Sequence, residues 1–381
     1  MHLETLLAHL AEEGGVHDPY GASHLPIYQT ATFDLKKQSG SKIYDYTRSD
    51  NPTRDALEMV FAKAENGASC SCTHTGIGAI ALLFETVLKA NSKILVEKDC
   101  YGGTYRLLQV YKDKYNVEVF FADFNDLDSI DVLMQTNKFD LVLCESPTNP
   151  GMKIIDLRQL AKIAKSNGAK FAVDNSLATF ASQKPLELGA DFSVFSATKY
   201  ISGHGSTVAG ALVSKCMEDG EKVAYYANAE GRSQNPFDVF LISLGVPTLP
   251  LRLKHHEQSA TQVAKYLENH SKVKKLIYPG LESHSAHTLA KSQMKIFPGV
   301  ITVHLQDVET AEKLVASTRW FGEKASFGTA DSRIEIPAKI SHASFSEEDL
   351  KAIGILPSTV RLSIGLEHID DLLEDLEKGL K

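Results

Sequence analysis

Ser196-Ala197-Thr198-Lys199 directly follows the apolar run FSVF. A lysine at a strand end, flanked by small hydroxyls, stands where α/β sheets form pockets. Desolvation lowers an ammonium pKa, so a lysine there can condense with an aldehyde, and the hydroxyls of Ser196 and Thr198 suit a phosphate. Taken alone, a solvated lysine after a strand is the simpler reading. Asp174 stands twenty-five residues upstream, at the end of the run KFAVDN. A buried carboxylate there can keep a ring nitrogen protonated and so make the ring an electron sink; a turn or N-cap is the plain alternative. Thr75-Gly76-Ile77-Gly78 opens a segment with apolar residues Ile80, Leu83, Phe84, Val87 and Leu88 at helical spacing, and bare amides at a helix N-terminus bind phosphate. Tyr101, in DCYGGTYRL, begins a glycine turn from which it can stack on a flat ring or simply pack a loop.

The stretch from Gly76 also fits G-x-G-x-x-A (Gly76, Gly78, Ala81), with Glu97 at a later strand end, which admits a nicotinamide-dependent oxidoreductase. Against that, the preceding GASCSCTHT is polar and reads as a poor first strand, and Lys199 and Asp174 would go unexplained. A third possibility is a cofactor-binding protein without turnover.

The elements that must hold these residues alternate between Lys93 and Ser214. KILVE, VEVFFA, DLVLCES, KFAVDN and FSVFSAT are strand-like, and segments such as DLRQLAKIAKSNG between them are helical. This rhythm predicts a mainly parallel sheet covered on both faces. Residues 1–50 show little periodicity and read as an extended arm; 51–246 form the α/β domain, and 247–381 a smaller α+β domain.

Composition narrows the classes. The 381 residues are 43% hydrophobic and 23% charged, which is globular rather than disordered. A net charge of −8 argues against a nucleic-acid or membrane-surface partner. No apolar run approaches the roughly 20 residues of a spanning helix. Five cysteines do not make a disulfide framework, and Cys70-Ser71-Cys72 lacks metal spacing, so the expectation is a cytoplasmic protein with no metal. His255-His256 read as solvated on a long polar helix, and IDDLLEDLEKGLK as an exposed helix covering the small domain.

Together, YDYTRSDNPTRDALE, THTGIGAIAL, DCYGGTYRL, ESPTNP, VDNSLAT, SATKYISGHGSTVAG, NPFDVFL and VRLSIGLE resemble, in order and over nearly the whole chain, the Cys/Met-metabolism family of pyridoxal-phosphate enzymes. Within that family the chain is most similar to bacterial cystathionine γ-synthases. The resemblance implies fold type I, the aspartate-aminotransferase-like architecture with a seven-stranded, mainly parallel sheet. It implies Lys199 as the cofactor-bearing lysine and proton shuttle, Asp174 at the pyridine nitrogen and Tyr101 on the ring. Gly76, Ile77, Ser196 and Thr198 would hold the phosphate. Tyr46 and Arg48 would reach the phosphate in a neighbouring subunit, which implies a homotetramer built from two dimers. Arg361 would clamp the substrate α-carboxylate with Asn149 and Ser332, and Arg106 a distal carboxylate.

The chain also departs from the family pattern. His204-Gly205-Ser206-Thr207 stands for the usual GHSD, Leu244-Gly245-Val246 for RGL, and SFGTADSR for SLGGVESL. Asp331 then takes the place of a glutamate associated with γ chemistry, and Arg333 adds a positive charge suited to an anionic substrate arm. The activity this implies is γ-replacement on an O-acylhomoserine, O-succinylhomoserine foremost, by cysteine to give cystathionine. The other activities of the family are γ-lyase, β-lyase and homoserine-ester sulfhydrylase.

Overall fold

The computed structural model describes residues 1–15, 18–38, 42–343 and 345–381. Seven strands form the larger sheet: β1 Ser69–Thr73, β2 Lys93–Glu97, β3 Glu118–Ala122, β4 Leu141–Glu145, β5 Lys170–Asp174, β6 Phe192–Phe195 and β7 Gly210–Ser214. Their order is β1-β7-β6-β5-β4-β2-β3, and all pairings are parallel except those of β7. The inner strands are continuous runs of buried residues because helices cover both faces. Leu57, Phe61, Phe171, Phe180 and Phe195 pack on one side. Ile80, Leu83, Ile94, Leu143 and Phe192 pack on the other. The crossover helix Leu157–Ser166 starts where Asp156 Oδ1 accepts the Gln159 amide, and its Leu157, Leu160 and Ala164 are buried.

A second sheet holds β8 Val273–Ile277, β9 Val300–Leu305, β10 Gly322–Glu323, β11 Arg333–Glu335 and β12 Thr359–Ser363, in the order β10-β11-β12-β9-β8. Its core draws on Ala260, Val263, Ile301, Val303, Leu362, Leu372 and Leu376. The C-terminal helix Ile369–Leu380 covers this sheet with its Leu face, and its buried Asp375 accepts the amides of Arg319, Trp320 and Phe321.

Four expectations change. GASCSCTHT contains a strand after all: β1 pairs antiparallel with β7 at the sheet edge, with Ser69 and Cys70 half-buried and Ser71, Cys72 and Thr73 buried. An edge antiparallel strand is not the first strand of a dinucleotide unit, so that reading still fails, for a different reason. The chain's start is not all extended, since Leu3–Ala8 and Leu10–Glu13 are helical and bury Leu6, Leu7 and Leu10. The helices from Pro236 to Glu268 run on as one stretch long and apolar enough to cross a membrane, though over half of that stretch is buried inside the fold.

The fourth change is His256. It is fully buried in the helix Leu249–Glu268, while its neighbour His255 is exposed. His256 Nδ1 donates to the Ile364 carbonyl at 2.7 Å and the ring sits edge-on to Tyr200. Burial holds its pKa down at about 4, from an ordinary 6.5, with the Arg252 charge adding to the effect. A depressed histidine binds fewer protons folded than unfolded, so its contribution is complete above pH 6.5 and is lost as pH falls toward 4. The loss is on the order of 3 kcal/mol. Denaturant titrations of wild type and His256→Asn, which keeps the donated hydrogen bond, should show the wild type losing this extra stability between pH 7 and 4.

Candidate active site

A cavity of about 460 Å³ opens where the C-terminal ends of β4, β5 and β6 meet residues 325–327, 340–341 and Arg361 of the second sheet's side. Lys199 follows β6 by a turn closed by its own amide on the Ser196 carbonyl. Its Nζ donates to Ser326 Oγ at 2.6 Å and lies 5.0 Å from the centre of the Phe327 ring. Burial first, then the charges of Arg361 and Arg333, bring its pKa down to about 8, against the opposing pull of Glu335 and Asp174.

Asp174 closes β5 beside it. Ser176 fixes Oδ1 through its amide at 3.0 Å and its hydroxyl at 2.6 Å, and Oδ2 accepts no hydrogen bond among the described residues. Burial raises the carboxyl pKa, partly offset by Ser176 and Lys199, so this group gains from a cationic partner. Glu145 is paired in register with Asp174 on the adjacent parallel strand and also lines the cavity. Its Oε2 accepts the Tyr101 amide at 3.2 Å, and burial, with Asp174 next, raises its pKa well above the carboxylate range.

The phosphate cradle sits opposite. Thr75 caps the helix Gly76–Val87, its Oγ1 accepting the Gly78 amide at 2.8 Å and its carbonyl the Ala79 amide. Helix geometry leaves the Gly76 and Ile77 amides without intrahelical partners, facing the cavity. Gly76 must lack a side chain, since a Cβ would lie 2.7 Å from Ser196 Cβ. Ser196 and Thr198 complete the wall. Thr198 Oγ1 both accepts from the Ala209 amide and donates to its carbonyl, so Ser196, held only by a long 3.4 Å contact, has the freer hydroxyl. A lysine of lowered pKa, an unpaired carboxylate oxygen, two bare amides and an exposed aromatic, Tyr101, fit pyridoxal phosphate end to end.

Arg361, Asn149 and Arg106 line the same cavity. Arg361 Nη1 contacts Asn149 Oδ1 at 3.2 Å and Glu335 at 3.0 Å, and Nη2 donates to the Ser326 carbonyl at 2.6 Å. Ser326 holds a left-handed backbone with φ 79°, which lets its carbonyl serve Arg361 while its hydroxyl serves Lys199. Among the described residues, no cluster of three or more His, Cys, Asp or Glu side chains is placed to hold a metal, and all five cysteines are free.

Some expected residues lie elsewhere. Ser332 is buried outside the cavity, donating to Glu367 and accepting the Gly365 amide, and Ser326 stands where it was expected. Asp331 also lies outside. Partial burial opposes ionisation there, but Lys324 and Thr329 hydrogen bonds and the Arg333 charge hold its pKa at about 2. Its carboxylate is spent on Lys324 and Arg333, so the inference toward γ chemistry drawn from it is withdrawn. Tyr46 and Arg48 line a separate cavity with Thr47, His74 and Gln234; the Arg48 guanidinium stacks 5.2 Å above the Tyr46 ring and its Nε donates to Asn228. Ser326, Glu145, Ser176 and Glu335 were missed. Only Ser326 carried a usable signal, as the first serine of SFGTADSR.

Comparison with known proteins agrees with this geometry. The sequence profile described as "Cys/Met metabolism PLP-dependent enzyme" matches residues 4–381. The chain is 37% identical to an L-methionine gamma-lyase of Fusobacterium nucleatum subsp. polymorphum, over 97% of this chain and 96% of that protein. It is 38% identical to a cystathionine beta-lyase of Coxiella burnetii, over 100% and 98%. Its fold matches cystathionine gamma synthase of Xanthomonas oryzae pv. oryzae, solved with aminoacrylate and cysteine, at a TM-score of 0.95 and 37% identity over 100% of this chain and 98% of that one. The chain therefore belongs to the family of pyridoxal-phosphate-dependent enzymes of Cys/Met metabolism.

Proposed function

We propose that this enzyme carries out γ-replacement, exchanging the acyl group of an O-acylhomoserine for cysteine to give cystathionine. The observation that carries the reading is the cavity's single buried lysine of lowered pKa, with Arg361 and Arg106 also on its walls. One base serves successive proton transfers, and two guanidiniums suit a substrate with a carboxylate at each end, as in O-succinylhomoserine or cystathionine. γ-Elimination from cystathionine is the second reading, favoured by the relatives named as lyases.

Pyridoxal phosphate, when bound, supplies the electron sink. Asp174 Oδ2 would hold the proton on the ring nitrogen, and Tyr101 would pack against the ring. The Gly76 and Ile77 amides, Ser196 and Thr198 would take the phosphate. Arg361 and Asn149 fix the substrate carboxylate, which leaves Cα and Cβ within reach of Lys199 Nζ. At a pKa of about 8 this amine accepts a proton from carbon and returns it near neutral pH; such general acid–base work contributes about 10²–10⁴-fold. Tyr46 and Arg48, remote from their own chain's cavity, complete the phosphate site of a neighbouring copy in a tetramer of two dimers.

Three measurements test this. Purified enzyme with O-succinylhomoserine and cysteine should form cystathionine only when both are present, and Lys199→Ala should lose both the visible cofactor absorption and turnover. Ketobutyrate and ammonia from cystathionine, without condensation, would establish the lyase instead. The rate at which cofactor-free protein takes up pyridoxal phosphate should rise with pH to half-maximum near 8, the lowered Lys199 value. Arg333→Met, which removes a charge that lowers that value, should move the midpoint upward. Arg48→Ala and Lys199→Ala, each inactive alone, should regain activity when refolded together, because a mixed dimer holds one site with both an intact lysine and an intact arm. No recovery would remove the neighbouring-copy role of Arg48.

A further inference from the structure

We propose that Glu335 is a positioning residue that selects which edge of the Arg361 guanidinium meets a substrate carboxylate, and that Ser341 holds Glu335 in place for it. The inference rests on the reading of Arg361 as the carboxylate clamp. Glu335 on β11 and Arg361 on β12 are directly paired in antiparallel register, so their side chains emerge on the same face. Both are buried, Glu335 completely.

A guanidinium has five N–H groups in one plane. Nη1 is held from two sides, by an ion pair with Glu335 Oε1 at 3.0 Å and a hydrogen bond to Asn149 Oδ1 at 3.2 Å. One on Nη2 goes to the Ser326 carbonyl at 2.6 Å. Nε has no hydrogen-bond partner among the described residues, and Nη2 has one, so the remaining capacity lies on these two nitrogens. Nε and Nη2 share the side edge of the guanidinium, whose donors can meet both oxygens of a carboxylate. Holding Nη1 on Glu335 and Asn149 thus disfavours the end-on edge and leaves the side edge for substrate.

Glu335 is itself held. Ser341 Oγ donates to Oε1 at 2.6 Å, and His342 Nδ1 lies 3.0 Å from the Ser341 oxygen. Since the serine proton is used on Glu335, Nδ1–H must donate to Ser341 and Nε2 must be the bare nitrogen. The ring is neutral, as its burial and the nearby Arg361 and Arg106 charges require. The chain therefore runs His342 to Ser341 to Glu335, where it meets Arg361 from the other side. Ser341 also lines the cavity, so the support for the clamp reaches the substrate chamber wall.

The test is equilibrium binding of 4-hydroxybutyrate, a carboxylate with no amine to react, to the cofactor-loaded protein by calorimetry, alongside KM and kcat for the amino-acid substrate. Glu335→Gln keeps an oxygen for Nη1 and should bind within about threefold of wild type; Glu335→Ala should weaken binding and raise KM by about tenfold or more, with kcat changed less than about threefold. Wild-type binding by Glu335→Ala, or an equal loss in Glu335→Gln, would overturn the proposal. Should Glu335→Ala fail to fold, Ser341→Ala decides: about threefold or greater weakening at an unchanged unfolding midpoint is expected, and wild-type affinity overturns it. Arg361→Ala separates the two ideas. If it binds the probe as well as wild type does, the clamp reading of Arg361 fails, and the role of Glu335 with it.

Discussion

The site depends on holding two cations in one small cavity while discharging only one of them. Lys199 and Arg361 share the chamber; burial lowers both pKa values, and the Arg361 charge adds to the fall at Lys199. A guanidinium stays fully protonated through such a shift, whereas an ammonium brought to about 8 has about one-tenth free amine at pH 7. The Arg361 charge therefore helps keep Lys199 ready to release its proton. Glu335 and Asp174 limit the effect, because without them two uncompensated buried cations would destabilise the fold.

Parallel topology makes this possible at low structural cost. Glu145, Asp174 and Lys199 come from successive units of strand and connection, yet β4, β5 and β6 are neighbours whose C-terminal ends lie together. The opposing wall comes from the second sheet and the turn at Ser326. The cavity is thus a seam between two separately packed cores, with Glu145, Asp174 and Arg361 on strands and Lys199 in the turn after β6. Ser326, whose backbone is left-handed, ties both cations to one turn.

Much of this was legible in sequence because the parts that bind a ring and phosphate sit at ends of strongly patterned elements. Lys199, Asp174, Gly76 and Tyr101 could each be placed from the strand or helix beside them, and all reach the cavity. The substrate side was harder. Asp331, Ser332 and Ser326 lie within one short irregular stretch, where spacing does not say which side chain turns inward, and the structure chose Ser326. Glu145 and Glu335 were invisible for another reason: each matters through its partner in a neighbouring strand, which a linear pattern does not show. His256 was misread as solvated because the helix around it is polar overall, although its own face is not.

The same division bears on which reaction the chamber runs. Replacement and elimination share every residue that handles the ring, the α-carboxylate and the travelling proton, so those residues carry no information about the outcome. What differs is the fate of the γ position after the leaving group departs: a thiol must have room and charge complementarity to enter, or water and protonation finish the reaction. Away from the lysine and the carboxylates, the cavity lining includes Arg106, Val208, Ala325, Ile340 and Ser341. The three apolar members, Val208, Ala325 and Ile340, donate no proton. Discrimination then falls to shape and to the charge of Arg106. Apolar fit alone is worth about 1–3 kcal/mol per group, so a chamber of this composition separates competing thiols weakly and anionic from neutral arms more strongly.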